Sequence, residues 1–572
     1  MGSGRVGRYA SRWRAAAALA VGLLWLLPAS AVAHPIERAI AGPPVGSVAA
    51  IAPPGAVDPA VRLLRATLAA AESGAGDPSL RPLLPFYRAR GELLAFTGDP
   101  DGTARGSTIL ATLQRADLEG LEPAAYEVEL LSALLPAAEA GEPAARVEFE
   151  LRLARALVRY ALDVSAGRVG PEQEQDGDPR PADAALPARL LAQAAQADDL
   201  PGWLASLPPQ GPPYARLRSA LAEWRAKLDW PAWTRVPDGR RLTVGLAGPE
   251  VVALRLRLVE EGLLAPPAVP GQLSALFDRD LLGPVRAFQA RYGLDPDGVV
   301  GERTLRALNA SVADRVDQIR VNMERRRWLP RELGRRYVFV NLADFTLKVV
   351  ADERTVHASR VVVGAPFTAT PAMSHRISHL VLNPYWSVPR SIMVREMLPE
   401  LQRDPGWLAR ERLRLFADAT PGAMEVDPHG IDWSGVTARN WRWRIRQDAG
   451  PGNALGVIKF LFPNKDDVYL HDTPSKHLFQ RSVRAFSHGC IRVEDPLALA
   501  DVLARDQDWP RPRLEAAIAN GRPEQFVRLA EPVPIHLAYL TAWVGKDGRL
   551  VLLDDVYGRD RRLRAALGLR GS

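Results

Sequence analysis

Chemistry in this sequence concentrates on one sulfur. Cys490 is the only cysteine among 572 residues, and it stands in the run Ser487-His488-Gly489-Cys490-Ile491-Arg492. A single cysteine forms no intrachain disulfide, and a lone cysteine is most often a small buried hydrophobe. The neighbours change that reading. Gly489 lets the backbone come close to a substrate, and Arg492 together with a neighbouring histidine favours thiolate over thiol. A second histidine, His471, ends the segment VYLHDTP, 19 residues before the cysteine. A strand end that faces the SHGC turn would bring its imidazole within hydrogen-bond reach of the sulfur, as Cys–His nucleophilic catalysis requires. Spacing alone leaves His471 and His488 interchangeable as the base. His488 shares the tight turn with the sulfur and is expected to point away from it, orienting the turn or lining an acceptor path. His471 approaches from a separate strand, where the backbone of Asp472 to Pro474 can hold its tautomer. The remaining strand histidines, His357, His375 and His379, have no metal-ligand spacing, so no metal site is expected. No phosphate-loop or dinucleotide pattern occurs, and no cofactor is expected.

Strands must position these residues. From Tyr337 the hydrophobic period changes to two, in YVFVNLADFTLKVV, TVHASRVVVGAP, RISHLVLNPYWSVP, GVIKFLFP, DVYLHDTP and later PVPIHLAYLTAWV. Asp344-Phe345 and Asp352-Glu353 fall where hairpin turns belong, which predicts an antiparallel meander. A polar, Trp-rich insertion lies between Pro399 and Gly456 and reads as a partly helical lid. Its Trp433, Trp441 and Trp443 read as the packing of a small subdomain rather than as sugar-stacking residues. Upstream, Val61 to Trp224 carries apolar residues at helical spacing, broken by a polar loop from Gly170 to Pro181. Between Gly248 and Asn309, three short helices share a core of Leu254, Leu258, Val285, Phe288, Leu294, Leu305 and Leu308.

The expected fold class is therefore multidomain α+β. A helical scaffold occupies 59–245, a three-helix module 246–310, and a mostly β catalytic domain 311–560 with an inserted lid subdomain at about 400–455; 561–572 reads as a tail. Residues 1–33 read as an export signal, with four arginines, an apolar run from Ala15 to Leu27 and Ala31-Val32-Ala33 as a cleavage site; 34–58 reads as a linker. The expected location is outside the cytoplasm, in the periplasm or cell envelope, membrane-anchored if the signal is retained. A composition that is 47% hydrophobic and 24% charged excludes general disorder. Four of the positive charges behind the net +7 lie in the first 33 residues, which hold no acid. The remaining balance is too mild to imply nucleic acid as a partner.

Two stretches resemble known families. VRAFQARYGLDPDGVVGERTLRALN resembles the peptidoglycan-binding module found beside many cell-wall enzymes, which implies targeting to glycan or stem peptide. HDTP followed by SHGC, Ile491 and Arg492, together with NPYWSVPRSI, resembles the YkuD-type L,D-transpeptidases over roughly residues 315 to 545. FYRAR, ADLEGLEPAAY and AGRVGP fit the scaffold of a subgroup with a capping subdomain, while RARGELLAFTGDP departs from that subgroup's aromatic element. The resemblance implies that Cys490 attacks the carbonyl of the third residue of a tetrapeptide donor and expels D-alanine. The acyl-enzyme then passes to a diamino-acid amine acceptor, giving a 3–3 cross-link without ATP. It implies His471 as acid–base and the amides of His488, Gly489 and Cys490 as oxyanion hole, with Ser487 and Arg492 in support and Tyr385 and Trp386 as substrate contacts. Carbapenems would acylate the same thiol. The implied partners are peptidoglycan stem peptides and other cell-wall synthesis proteins. Water as acceptor would make the protein an L,D-carboxypeptidase, and a lipoprotein lysine would make it a wall-attachment enzyme. A non-catalytic wall-binding scaffold is the alternative of another class.

Overall fold

The computed structural model describes residues 57–97, 100–171, 183–269, 272–418, 420, 422–450 and 452–569. The expected signal at 1–33, almost all of the linker at 34–58 and most of the polar loop lie outside them. Among the described residues no helix is long and apolar enough to cross a membrane. The chain divides into two compact units. One contains residues up to Gln114 with Pro123–Ala166 and Asp183–Pro208; the other contains Arg115–Glu122, a stretch beginning at Gly167 and everything from Pro209.

The first unit is helical, and its longest helix, Pro143–Ala166, buries Phe149, Leu153, Leu157, Tyr160 and Val164. In the same buried stripe stands a carboxylate, Glu150, with no exposure. It accepts hydrogen bonds from Tyr87 Oη at 3.0 Å, the amides of Ala95 and Phe96 at 2.8 Å each, and Thr97 Oγ1 at 3.2 Å. Burial pushes the Glu150 carboxyl up, and these donors pull it back. One side chain thus fastens the end of helix Leu84–Ala89 and the irregular chain that follows it, as far as Thr97, to the longest helix.

The second unit holds three bodies. Helix Pro212–Arg225 packs Tyr214, Leu217 and Leu221 on Val316, Ile319 and Met323 of helix Val312–Arg327. This helix thus packs on chain downstream of 245, a partner that helical periodicity does not reveal. Arg327, in the charged run MERRRWLP, is buried: it donates to Glu324 Oε2 at 2.7 Å and to Tyr214 Oη at 2.9 Å, and Tyr214 donates to Glu119.

The module at 246–310 forms helices Pro249–Glu260, Leu282–Arg291 and Glu302–Asn309. Its core of Leu254, Leu258, Val285, Phe288, Leu294 and Leu308 also takes in Ala542 and Leu552.

The remaining body is a sheet. Its chain contributes β1 (Arg336–Asn341), β2 (Thr346–Ala351), β3 (Arg354–Gly364), β4 (Met373–Leu382), β5 (Trp386–Ser387), β6 (Leu413–Phe416), β7 (Arg444–Gln447), β8 (Ile458–Leu461), β9 (Leu470–His471), β10 (Ala485–Ser487), β11 (Ile491–Val493), β12 (Gln525–Ala538), β13 (Ala542–Val544) and β14 (Leu550–Leu552). The meander β1–β2–β3 forms, with its turns at Phe345, Asp352 and Glu353 in positive φ. The strand order is β10-β3-β11-β9-β8-β4-β12-β1-β2, and β2 also pairs with β3, so all the strands of this sheet but β10 close into a ring. Inside it lie Val338, Leu347, Val361, Leu380, Phe460, Leu470, Ile491, Val493, Val527 and Ile535.

Three expectations change here. Hairpin β13–β14 leaves the sheet, and its inner residues complete the core of the module. The insertion begins at Trp386, ahead of 400, because β5, β7 and β6 form a separate three-stranded sheet. That sheet packs on Leu401, Leu408, Trp433 and Trp441, so the two tryptophans are core residues. Finally, the expected tail from 561 begins inside helix Arg559–Ala566. Its Leu563 is buried against Val321, and Arg564 pairs with Asp314 at 3.0 Å and Asp317 at 2.9 Å. Its charge density reads as solvated in sequence and is instead consumed by partners.

Replacing Glu150 by Ala strands two buried amides and should cost about 2–3 kcal/mol locally. Hydrogen exchange at Ala95 and Phe96 should accelerate about 100-fold, and unchanged exchange would remove Glu150 as the fastener.

Candidate active site

The register of three short strands lays out the site. Lys459 of β8 stands opposite His471 of β9, and His471 stands opposite Arg492 of β11. Directly opposed residues share a face, so Lys459, His471 and Arg492 form one row across the sheet. Cys490 and Tyr469 lie two residues away on their own chains and head the adjacent row. The alternate residues Phe460, Leu470, Ile491 and Val493 all face the core. One face of the sheet is thus oil and the other carries the chemistry.

Cys490 is half-buried. Its Sγ donates to the Asp467 carbonyl at 3.7 Å, and the Tyr469 hydroxyl and amide donate to the sulfur. Lys459 Nζ sits 3.9 Å from the Tyr469 ring centre. Burial pushes the Cys490 thiol up, while Tyr469, Lys459 and Arg492 oppose that shift. His471 is buried, and its Nδ1 donates to the Asp472 carbonyl at 2.5 Å. This bond leaves Nε2 as the free, proton-accepting nitrogen. Burial first, then Arg492 and, more weakly, Lys459, push the imidazole down to about 3. The imidazole is not hydrogen-bonded to the sulfur in this state; Sγ is turned toward Tyr469 and Asp467.

Asp472 is itself fixed. Its carboxylate accepts from the Val457 amide at 3.0 Å and from Lys476 Nζ at 2.6 Å. The preceding residue is Gly456, at φ 59°, and a Cβ there would overlap that carboxylate. A glycine is needed for the backbone and the carboxylate to approach each other.

The turn Ser487–Cys490 is held from inside and from behind. Ser487 Oγ donates to the Cys490 carbonyl at 2.5 Å and accepts from the Gly489 amide at 3.2 Å. The Gly489 N–H expected in the oxyanion hole is therefore already engaged. Gly489 has φ 118°, which a side chain would strain. Behind the turn, Thr368 Oγ1 donates to the Ser487 carbonyl at 2.9 Å and Thr370 Oγ1 to the Gly489 carbonyl at 2.7 Å.

His488 is exposed and reaches outward, its Nε2 2.6 Å from Oε1 of Glu396 on the insertion. Tyr385 stacks under the Arg446 guanidinium at 4.1 Å, and its amide donates to Glu524 at 2.8 Å. Trp386 lies in β5, is half-buried and packs on the insertion's own core. Sequence reasoning missed Lys459, Tyr469, Thr368, Thr370 and Glu396. Tyr469 shares the strand face of His471 at i−2, and Lys459 is the one charge in GVIKFLFP; both were findable. The threonines and Glu396 have no local signal. Among the described residues no cluster of three or more His, Cys, Asp or Glu side chains is gathered for a metal ion.

Comparison with known proteins places these residues in named domains. Residues 335–525 match the family profile of the L,D-transpeptidase catalytic domain, 81–221 that of a scaffold domain, and 247–308 one described as "Putative peptidoglycan binding domain". A Haemophilus influenzae protein named "Putative L,D-transpeptidase" is 34% identical over 229 residues, 40% of this chain. The chain spans 45% of the length of that curated relative. Among solved structures, an L,D-transpeptidase from Mycobacterium smegmatis is 11% identical with a TM-score of 0.17, covering 36% of this chain and 58% of that one. One from Stackebrandtia nassauensis is 13% identical with a TM-score of 0.18, covering 52% of this chain and 94% of that one. Residues 335–525 thus belong to the L,D-transpeptidase catalytic-domain family, joined in one chain to a scaffold domain and a peptidoglycan-binding domain.

Proposed function

We propose that the protein is a peptidoglycan L,D-transpeptidase of the cell envelope, forming 3–3 cross-links through an acyl-enzyme on Cys490. The observation that supports this reading best is the one-faced arrangement of Cys490, Tyr469 and His471, with the Nδ1 of His471 committed to a backbone carbonyl and Nε2 left to take a proton.

A half-buried thiol pushed up and a buried imidazole pushed down give two neutral partners at pH 7 rather than a preformed ion pair. Deprotonation then belongs to the attack itself. Rotation about Cα–Cβ turns Sγ from Tyr469 toward Nε2 of His471. As sulfur bonds to the carbonyl carbon of the third stem residue, its proton passes to Nε2. The C–N bond breaks and the same proton leaves with D-alanine. The amides of His488 and Cys490 receive the oxyanion; Gly489 does not, since its N–H serves Ser487. A side-chain amine of a second stem peptide then attacks the thioester, gives its proton to His471 and frees the thiol. The binding module at 247–308 holds the wall nearby and raises the local concentration of both peptides.

The deciding experiment incubates the full chain with tetrapeptide muropeptides and reads the products by mass. Dimers with D-alanine release are expected from the wild type and none from Cys490→Ala; tripeptides alone would make the enzyme a carboxypeptidase.

His471→Ala should slow acylation by at least about 100-fold. His488→Ala should be milder, because His488 faces Glu396 rather than the sulfur. A larger loss for His488 would reverse the two roles.

The pH dependence has a definite sign. A raised thiol pKa leaves less thiolate at neutrality, so iodoacetamide should alkylate Cys490 slowly at pH 7 and roughly tenfold faster per pH unit up to the pKa. Lys459→Met removes an opposing positive charge and should shift that profile upward; a plateau near pH 6 in the wild type would exclude the neutral pair.

A further inference from the structure

In the row Lys459–His471–Arg492, the cation at the β11 end has no counterpart. Arg492 is half-buried, and its Nε is shut off from solvent with no hydrogen-bond partner. Among the described residues it forms neither an ion pair nor a hydrogen bond. Three buried arginines of the second unit are matched, Arg325 by Asp560 at 2.5 Å, Arg257 by Glu261 at 2.6 Å and Arg327 by Glu324 at 2.7 Å. Arg326 also lacks a partner among the described residues, but it stands on helix Val312–Arg327 and not in the row beside Cys490 and His471. Lys459 and Arg492 both feel the charge of an ionised Cys490, but Lys459 has Glu524 and Asp467 as well. A guanidinium partly withdrawn from water, its Nε shut off and no anion beside it, is costly, and such a cost persists where a ligand supplies the missing charge.

We propose that Arg492 is the receptor for the donor's terminal carboxylate. This rests on the transpeptidase reading and identifies what that reading leaves open, the group that selects the donor. A guanidinium presents a planar fork that matches a carboxylate with two parallel hydrogen bonds. The distance also fits. Arg492 lies two residues beyond Cys490 on the same face, about 6.6 Å along a strand. The sulfur approaches the scissile carbonyl at about 3 Å, and the carboxylate of the next residue lies about 3.5 Å further along the peptide. A donor ending one residue past the scissile bond therefore brings its carboxylate to Arg492. A donor one residue longer presents an uncharged amide there and carries its charge about 3.5 Å beyond. Selection for the shorter donor follows from one side chain.

The test compares a tetrapeptide donor ending in a free carboxylate with the same peptide ending in a carboxamide, using the full chain and following acylation by mass. The wild type should prefer the acid by about 100-fold in kcat/KM, expressed mainly in KM. Arg492→Gln should bring the acid-to-amide ratio close to one, and Arg492→Lys should restore part of it. Because the ratio is taken within each variant, it cancels any change in thiol reactivity. The same ratio read as binding affinity, in Cys490→Ala and in Cys490→Ala combined with Arg492→Gln, covers a variant too slow to assay. A ratio that Arg492→Gln leaves unchanged overturns the assignment alone. A wild type inert toward both donors overturns the transpeptidase reading and the assignment with it.

Discussion

The offset between β9 and β11 governs the site. These strands are two and three residues long, Leu470–His471 and Ile491–Val493, yet their register decides which side chains face the chemistry. A slip of one residue would send His471 and Arg492 into the ring and Leu470 and Ile491 out of it. Leu470, Ile491 and Val493 have no exposure. Each would forfeit about 1.5–3 kcal/mol of burial in the slipped form. Packing on the inner face thus enforces alignment on the outer one. The same register adds to the electrostatics: burial first, then a cation on either side of His471, keep its imidazole neutral.

Much of this was legible in the sequence, and the reason is locality. The change of period at Tyr337, the turn residues at Asp344-Phe345 and Asp352-Glu353, and the three helices sharing Leu254, Val285 and Phe288 all follow from side chains a few residues apart. His471 and Cys490 were singled out by residue type within two short motifs. What escaped was whatever depends on partners distant in the chain. Hairpin β13–β14 reads as more of the sheet because its alternation is the same; only the three-dimensional core shows Ala542 and Leu552 beside Phe288. The arginines of the last helix look like a solvated tail until Asp314 and Asp317 are found beside Arg564. Thr368 and Thr370 lie in an ordinary-looking loop, and only the fold brings them under the turn that carries Cys490.

The turn and the insertion above it are held with very different strength. Beneath Cys490, the bonds from Ser487 and Thr370 are sheltered and close a compact loop. Above it, His488 meets Glu396 with side chains 46% and 51% exposed. An exposed pair of this kind contributes on the order of 0–1 kcal/mol. The insertion can therefore separate from His488 without disturbing the geometry of the sulfur, and its own core of Leu401, Trp433 and Ile445 keeps it folded when it does.

Ring closure has a further consequence, in the order of events as the chain folds. β12 lies between β4 and β1, with Val338 beside Ile535, and it follows both Cys490 and His471 in the chain. Contacts so distant in sequence carry a large loop-closure cost and form late. Until β12 arrives, β4 and β1 each have an unpaired edge, and the residues between them cannot enclose a core. The strands around Cys490 and His471, from β3 through β11, β9 and β8 to β4, all precede β12 and pair without it, so β12 closes the ring rather than building the row. The core beneath that row is therefore enclosed last, after every side chain of the row is already in the chain.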